Sequence, residues 1–588
     1  MRYFFVIFLI LFFSETSFSQ NSNLNNDYID LTNNNSKSNN ENKKSTFSSN
    51  KNEKKNVNIA SELNKNNPNI KSKVITRGKL DSPSLGSIGV DTRVNKKFGL
   101  NIWDRFTAVE AIKNLNYLPN VISSNVLQHY LIDLYSSISI PPNGNSDEIV
   151  KFLETKLLKI SSSGHTERLK EIVIQLPNSP RWERWKKWYV EYNLMKKKDK
   201  EACKLVKEFL KRNTSIFWQK SNIVCLLTNQ KFNEAKFIHD VLLSQNLMEN
   251  VFTELFDYII DETNPNKILF EIEKLEPIHI VMLDILKYPI SANMVANFDS
   301  KYSDALLDLI YIEPEARSFL LDKMIVLKKI KREKIIQIYQ SVLNPSQKAN
   351  QALLNLSEKS NGINRANVWL SSLNMKDDLK KVEYILKVLE IENDLGRIKQ
   401  SLDLYMPILN SIEIKSLPSK LNKIIDYLKV LHNPNNHLDN DLSKLILSPK
   451  KGVWNLDIIN KHHAWGYIKY IENSGMLAKD HNWYKLIEKI QSNSKTQNFS
   501  YRWSGDESYR SFVIRKAIEQ KSNNGDKIHT LLLVGRLLGN ESLNNFDLDN
   551  LTSIEIALKK IGLEDLAKEL RTEVITSKFT NIKIENAN

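Results

Sequence analysis

The chain predicts an all-α protein, and three observations carry that expectation. Glycine and proline number only 16 each in 588 residues, roughly a third to a half of ordinary usage. Beyond residue 101, apolar residues recur at i, i+3, i+4 and i+7 in most segments, the period of a helix with one buried face. Between Arg181 and Asn246 the chain also repeats itself. Trp185 and Ala202 stand 17 residues apart, Trp218 and Ala235 do the same, and the two pairs are offset by 33. A period in the low thirties, with an aromatic in one helix and a small residue at a crossing in the next, marks helix pairs that must stack to bury their apolar faces. A chain of this length is either several domains or one long repeat array.

Residues 1–19 read as a secretory signal. Met1 and Arg2 give a short basic start, residues 4–13 are an unbroken apolar run, and Ser17-Phe18-Ser19 puts small residues where a signal peptidase reads, before Gln20. The run is too short for a membrane span, and no other run approaches about 18 apolar residues. No cysteine lies near the cleavage site, so no lipid anchor is expected; the alternative is an uncleaved anchor. In a Gram-negative cell the mature protein is periplasmic.

Residues 20–79 form a low-complexity spacer containing Asn33-Asn34-Asn35, Lys43-Lys44 and Lys54-Lys55. It has too little apolar surface to offset the entropy of ordering, so disorder is expected. Its alternative role is weak contact with peptidoglycan or another anionic envelope polymer. The net charge of +15 does not make nucleic acid a partner. Residues 20–80 hold eleven basic and five acidic residues, so six of the fifteen charges sit in the spacer. The chain is also rich in Asn, Lys and Ile, the amino acids of A/T-rich codons.

Order is expected to begin with an extended arm at 80–100. Asp81-Ser82-Pro83-Ser84 and Gly86, Gly89 and Gly99 argue against regular helix there, and Trp103 and Phe106 serve as its apolar anchors. The arm has no GxGxxG or Gly-Lys-Ser/Thr pattern, so no phosphate cradle or cofactor is expected. Helices follow at 149–160, 182–195, 200–212, 216–227, 233–245 and 251–260. Later ones are expected at 303–312, 316–330, 332–342, 348–358, 368–373, 379–392 and 398–409. Breaks carry turn chemistry: Asn213-Thr214, Asn264-Pro265-Asn266, Asn344-Pro345-Ser346 and Asn361-Gly362. A polar break at 432–436 divides a solenoid at 80–432 from a C-terminal helical bundle at 437–578, with a flexible tail at 579–588. The bundle closes with helix 551–561, Gly562 and helix 563–574, and Gly562 suits the left-handed residue that ends a helix.

The Trp185…Ala202 and Trp218…Ala235 register, with Phe209 and Leu242 seven residues after each alanine, resembles tetratricopeptide-like (TPR-like) helical repeats. It departs from them in its period of 33, in lacking Leu-Gly after the tryptophans, and in lacking the helix-ending proline. The match covers about 65 residues. The chain is also similar to secreted TPR-like proteins of alphaproteobacteria without an assigned function. That likeness lies in Ala202-Cys203, Trp218-Gln219-Lys220, Cys225 and Ile561-Gly562-Leu563. The resemblance implies a TPR-like α-solenoid, a periplasmic scaffold that binds protein partners, and no activity.

Chemistry was sought against that background. Soluble lytic transglycosylases share the compartment and a helical superhelix, and need a general-acid glutamate followed by serine and a Gly-Leu-Met-Gln-type segment. Glu507-Ser508 and Glu541-Ser542 supply the dipeptide, but the segment follows neither. A peptidoglycan-associated accessory or degenerate lytic protein is therefore the second reading. His462-His463 are adjacent and point about 100° apart on a helix, so they do not easily share an ion. There is no HExxH, two cysteines cannot build a zinc site, and no GxSxG elbow occurs. No catalytic, metal or cofactor residues are expected. In 182–200, Trp185, Trp188, Tyr189, Tyr192 and Met195 form one stripe beside Lys186, Lys187 and Lys196-Lys197-Lys198. This reads as packed core with a solvated lysine face rather than a glycan platform. Cys203 and Cys225 each lie 11 residues from Thr214, at equal height in an antiparallel hairpin. An oxidising compartment makes a disulfide between them available; two buried thiols are the alternative.

Overall fold

The computed structural model describes residues 85–262, 275–326, 330–341, 348–395, 397–413, 417–440, 443, 446–447, 505–540, 543 and 546–579. Among the described residues helix makes up 73%, with 24 α-helices, and no strand occurs. Three isolated parallel bridges join Val90 to Ser137, Thr107 to Asn143 and Ile290 to Ile312. The expected signal segment, the spacer, His462-His463, Glu541-Ser542 and positions 580–588 of the tail lie outside the described residues.

In chain order the first helices are α1 (Arg93–Phe98), α2 (Ala108–Asn116), α3 (Asn125–Ser136), α4 (Ser146–Ser162) and α5 (Thr166–Val173). The repeat segment gives α6 (Glu183–Met195), α7 (Asp199–Leu210), α8 (Ile216–Thr228) and α9 (Phe232–Ser244). Then come α10 (Asn250–Ile260), α11 (Pro277–Ile285), α12 (Ala292–Val295), α13 (Ser300–Leu306), α14 (Pro314–Val326), α15 (Arg332–Ser341) and α16 (Ala349–Glu358). They continue with α17 (Gly362–Asn374), α18 (Asp378–Asp394), α19 (Ile398–Asn410) and α20 (Ser419–His432), after which Pro434–His437 makes a 3-10 turn. The last four are α21 (Gly505–Asn523), α22 (Lys527–Leu538), α23 (Leu548–Lys560) and α24 (Glu564–Phe579).

The arm departs from expectation. Leu85–Ser87 is a 3-10 turn, and α1 forms because Thr92 caps it. The Thr92 hydroxyl accepts from the Val94 amide at 3.2 Å, while Asn95 Oδ1 accepts from the Thr92 amide at 3.2 Å. Asparagine stands where glutamate or glutamine usually completes this reciprocal cap, which hides the signal. Trp103 and Phe106 do anchor the segment: both are buried, and Trp103 packs edge-on against Phe152 of α4 at 5.1 Å. The break expected at Asn361-Gly362 is present, between α16 and α17, and Asn361 caps the helix that follows it. The Asn361 side chain accepts from the Asn364 amide, and α17 runs six residues upstream of its expected start.

The 33-residue period recurs in the backbone. After α6, the Lys198 amide donates to the Asn193 carbonyl at 2.8 Å and Lys197 to Leu194 at 3.1 Å. After α8, Lys231 donates to Leu226 at 2.9 Å and Gln230 to Leu227 at 3.0 Å, each partner 33 residues on. These paired bonds close a helix through one left-handed residue, here Lys197 (φ 57°) and Gln230 (φ 58°) rather than glycine. Trp185, Ala202, Trp218 and Ala235 are all at most 1% exposed, so the repeated positions form core. Helices α6 to α9 pack each on the next, while α11 and α13 fold back on α6.

The C-terminal helices pack against the first ones within one compact unit. α24 lies on α3, where the buried Glu573 accepts from the Ser124 hydroxyl at 2.5 Å and the Asn125 amide at 2.8 Å. Gly535 lets α22 come equally close: a Cβ there would stand 2.9 Å from the Leu118 side chain and 3.2 Å from that of Leu131. Gly562 closes α23 with φ 78°, as its position suggested.

A side chain in the left-handed conformation costs about 1 kcal/mol, which glycine does not incur. Gln230 is exposed, so Gln230→Gly should raise stability by about 0.5–1 kcal/mol in urea unfolding. Gly562→Val should lower it by at least about 1 kcal/mol. No change in either variant would contradict the cap assignment.

Candidate interaction surfaces

Cys203 on α7 and Cys225 on α8 face each other at disulfide distance, their Cα atoms 5.7 Å apart. Ala202, fully buried beside the pair, removes the bulk that would hold the helices apart. Further along the seam Phe209 stacks on Trp218 at 4.1 Å, and the Trp218 indole donates to Glu183 of α6 at 2.9 Å. The cysteines and aromatics thus fix α6, α7 and α8 as one block.

The aromatic stripe of α6 is core. Trp185, Trp188, Tyr189, Tyr192 and Met195 are at most 5% exposed, so they offer no face on which a sugar ring could stack. The lysine face is solvated only in part, which corrects the sequence expectation. Lys186 is buried with its ammonium 3.4 Å from the Ile174 carbonyl, and lost hydration pushes its pKa down to about 8. Lys196 pairs with Asp304 at 2.7 Å and Asp308 at 2.6 Å, and Lys197 with the buried Asp284. Sequence reasoning missed these partners because the carboxylates come from α11 and the α13 region, about a hundred residues away.

Two polar clusters join helices that are distant in the chain. Lys220 of α8 donates at 2.6 Å to Glu249, which also receives a 2.7 Å bond from His279 of α11. Glu249, Glu276 and His279 have the donor types of a metal site. However, His279 Nδ1 accepts the Glu276 amide at 2.9 Å, so its Nε2 carries the proton given to Glu249. No imidazole lone pair is left for an ion in this arrangement. The hydrogen bond from His279, with Lys220 beside it, holds the Glu249 carboxyl down to about 2. In the second cluster Glu191 of α6 is buried and accepts the Tyr302 hydroxyl at 2.5 Å. Burial is the main cause that pushes Glu191 up to about 7; Glu276 adds to it, and Tyr302, Lys301 and Lys187 oppose it. Both clusters tie helices together across the chain.

The outer surface of α9 is different. Its inner side packs Ala235, His239 and Leu242, yet Phe232, Phe237, Val241 and Leu243, with Leu247 just beyond, are exposed. Phe237 is 71% exposed and stands one turn from Val241. Phe237 and Val241 form one exposed apolar pair on the outer side, whereas Phe232 and Leu243 lie more than about 100° away round the helix; exposed apolar surface is where partners dock. Among the described residues no helix is long and apolar enough to cross a membrane.

Denatured, unreduced protein should show no free thiols. Reduction should cost on the order of 3 kcal/mol for a loop of this length, the cysteines being 22 residues apart. Two free thiols per chain would end the disulfide assignment. Glu191 gives a pH test. Its folded pKa is raised, so the fold binds its proton more tightly than the unfolded chain does. Stability should therefore fall as pH rises from about 4.5 to 7 and then level. Glu191→Gln should flatten that decline by about 1–3 kcal/mol in urea titrations at pH 5 and 8. For Glu249, with its lowered pKa, the stabilisation holds above about 4.5 and fades as pH falls toward 2.

No family model matches the chain, and no curated protein or solved structure shows significant similarity to it.

Proposed function

We propose that the chain is a non-catalytic, TPR-like helical scaffold, exported to the periplasm, that binds other proteins of the cell envelope. The observation that carries this reading is the exposed apolar pair Phe237 and Val241 on the outer side of α9, a helix whose inner side is well packed. The repeat assignment is supported by the matching turns at Lys197 and Gln230. Export is supported by the apolar run at 4–13 and Ser17-Phe18-Ser19. It also provides the oxidising setting that a Cys203–Cys225 bond requires. The second reading, a peptidoglycan-associated or degenerate lytic protein, rests on Glu507-Ser508 and Glu541-Ser542. The first pair lies near the start of α21 and the second lies outside the described residues.

A photo-crosslinking residue at Phe237, activated in intact cells, should yield discrete protein adducts. The same residue at Lys380, whose side chain is 77% exposed, should yield none. Adducts of murein fragments alone would favour the second reading. Equal labelling from both positions would remove α9 as an interface.

A further inference from the structure

Helices α21 and α23 run side by side and leave a groove of about 370 Å³ between them. On α21 it is lined by Phe512, Arg515, Lys516, Glu519 and Ser522, at i, i+3, i+4, i+7 and i+10; on α23 by Ser553, Ile556, Ala557 and Lys560, at i, i+3, i+4 and i+7. Each helix therefore gives one continuous stripe to the same trough, which extends about 15 Å along α21 at 1.5 Å per residue.

The chemistry of the trough has two parts. Phe512 is 51% exposed and Ile556 44%, large apolar side chains left open to water at its floor and lip. Above them the charges do not balance. Lys516 is neutralised by Glu519 at 2.9 Å. Lys560 bonds a neutral amide, Asn523 Oδ1, at 2.6 Å and otherwise shares the field of Glu519 with Lys516. Arg515 has no carboxylate partner among the described residues, and its Nε is buried without a hydrogen bond. Three cations, Arg515, Lys516 and Lys560, thus face the single carboxylate of Glu519 beside exposed apolar surface.

We infer that this groove docks an acidic amphipathic helix of a partner protein. Phe512 and Ile556 take apolar anchors, while Arg515 and Lys560 receive carboxylates on the flanks, the helix-in-groove mode with charge setting the choice of partner. A concave trough between helices suits an inserted helix, whereas a flat anionic membrane would call for cations that project outward. The surface lies on different helices from α9, so it stands or falls independently of the interface there.

The test uses the full chain and fluorescence anisotropy. The probe is a labelled peptide of about four helical turns, with leucine at i, i+3, i+4 and i+7 and glutamate on the flanks; a twin carries lysine for glutamate. The acidic peptide should bind at least about 10-fold more tightly than its twin. Arg515→Glu combined with Lys560→Glu should weaken it by about 10-fold or more, and Phe512→Ala by several-fold, with helical circular dichroism unchanged. Should the double variant lose its fold, Lys560→Gln alone should still show a loss of about 3-fold. Equal binding of the two peptides, or undiminished binding to the charge-reversed protein, overturns the proposal. Displacement of the peptide by phosphatidylglycerol vesicles would assign the groove to a membrane surface instead.

Discussion

The carboxylate of Glu573 rests on the first turn of α3, 448 residues earlier in the chain than its own position. The closure it makes decides which apolar surfaces the remaining helices can leave open. Helices packed in series expose an apolar face wherever the series begins. Here the face carrying Leu118, Ile122, Leu127 and Leu131 would be open to water, but α22 and α24 cover it. A carboxylate buried there without partners would be costly. Ser124 and the free amides at the start of α3 supply them, and the positive end of the helix favours the charge. Arg571, one turn-fraction away, is held in place by Glu555 and the Leu447 carbonyl.

Buried charge is used in the same way in the middle of the chain. Arg365 of α17 reaches Glu392 of α18 at 2.9 Å and Asp322 of α14 at 2.8 Å, and Arg397 reaches Asp322 at 3.3 Å. Two cations and two anions leave the group neutral. Such a network gives little net stability against an apolar core of the same volume, but removing any one member strands a charge at a cost of several kcal/mol. The network links α14, α17, α18 and the start of α19 through four mutually paired charges.

What was legible in the sequence was local. The period linking Trp185 to Trp218 marked real core positions, the spacing of Cys203 and Cys225 about Thr214 placed them opposite one another, and Gly562 marked a helix end. Each signal depends on residues within about one or two helices, the range over which periodicity and capping act. Two helix starts, those of α1 and α17, were missed because the residue types at them are ambiguous. Asn361-Gly362 suits a helix start as well as a stop, and Asn95 is an uncommon completion of a cap. The partners of Lys196, Lys197 and Glu191, the return of α22 and α24 to α3, and the groove between α21 and α23 were not legible. Each is set by tertiary approach, to which a one-dimensional pattern is blind.

The contrast in sequence separation between two linkages has a kinetic consequence. Cys203 and Cys225 are 22 residues apart, so the α7–α8 hairpin can close while most of the chain is still being delivered from a ribosome. The Glu573 contact cannot form until nearly the last helix has arrived, and loop closure over such a distance is slow. Folding is therefore ordered in time: local hairpins early, the docking of the chain's end last. Until that final step the α2–α3 face stays wet and adhesive, which makes this interval the period in which the protein is most exposed to proteases and most dependent on chaperones.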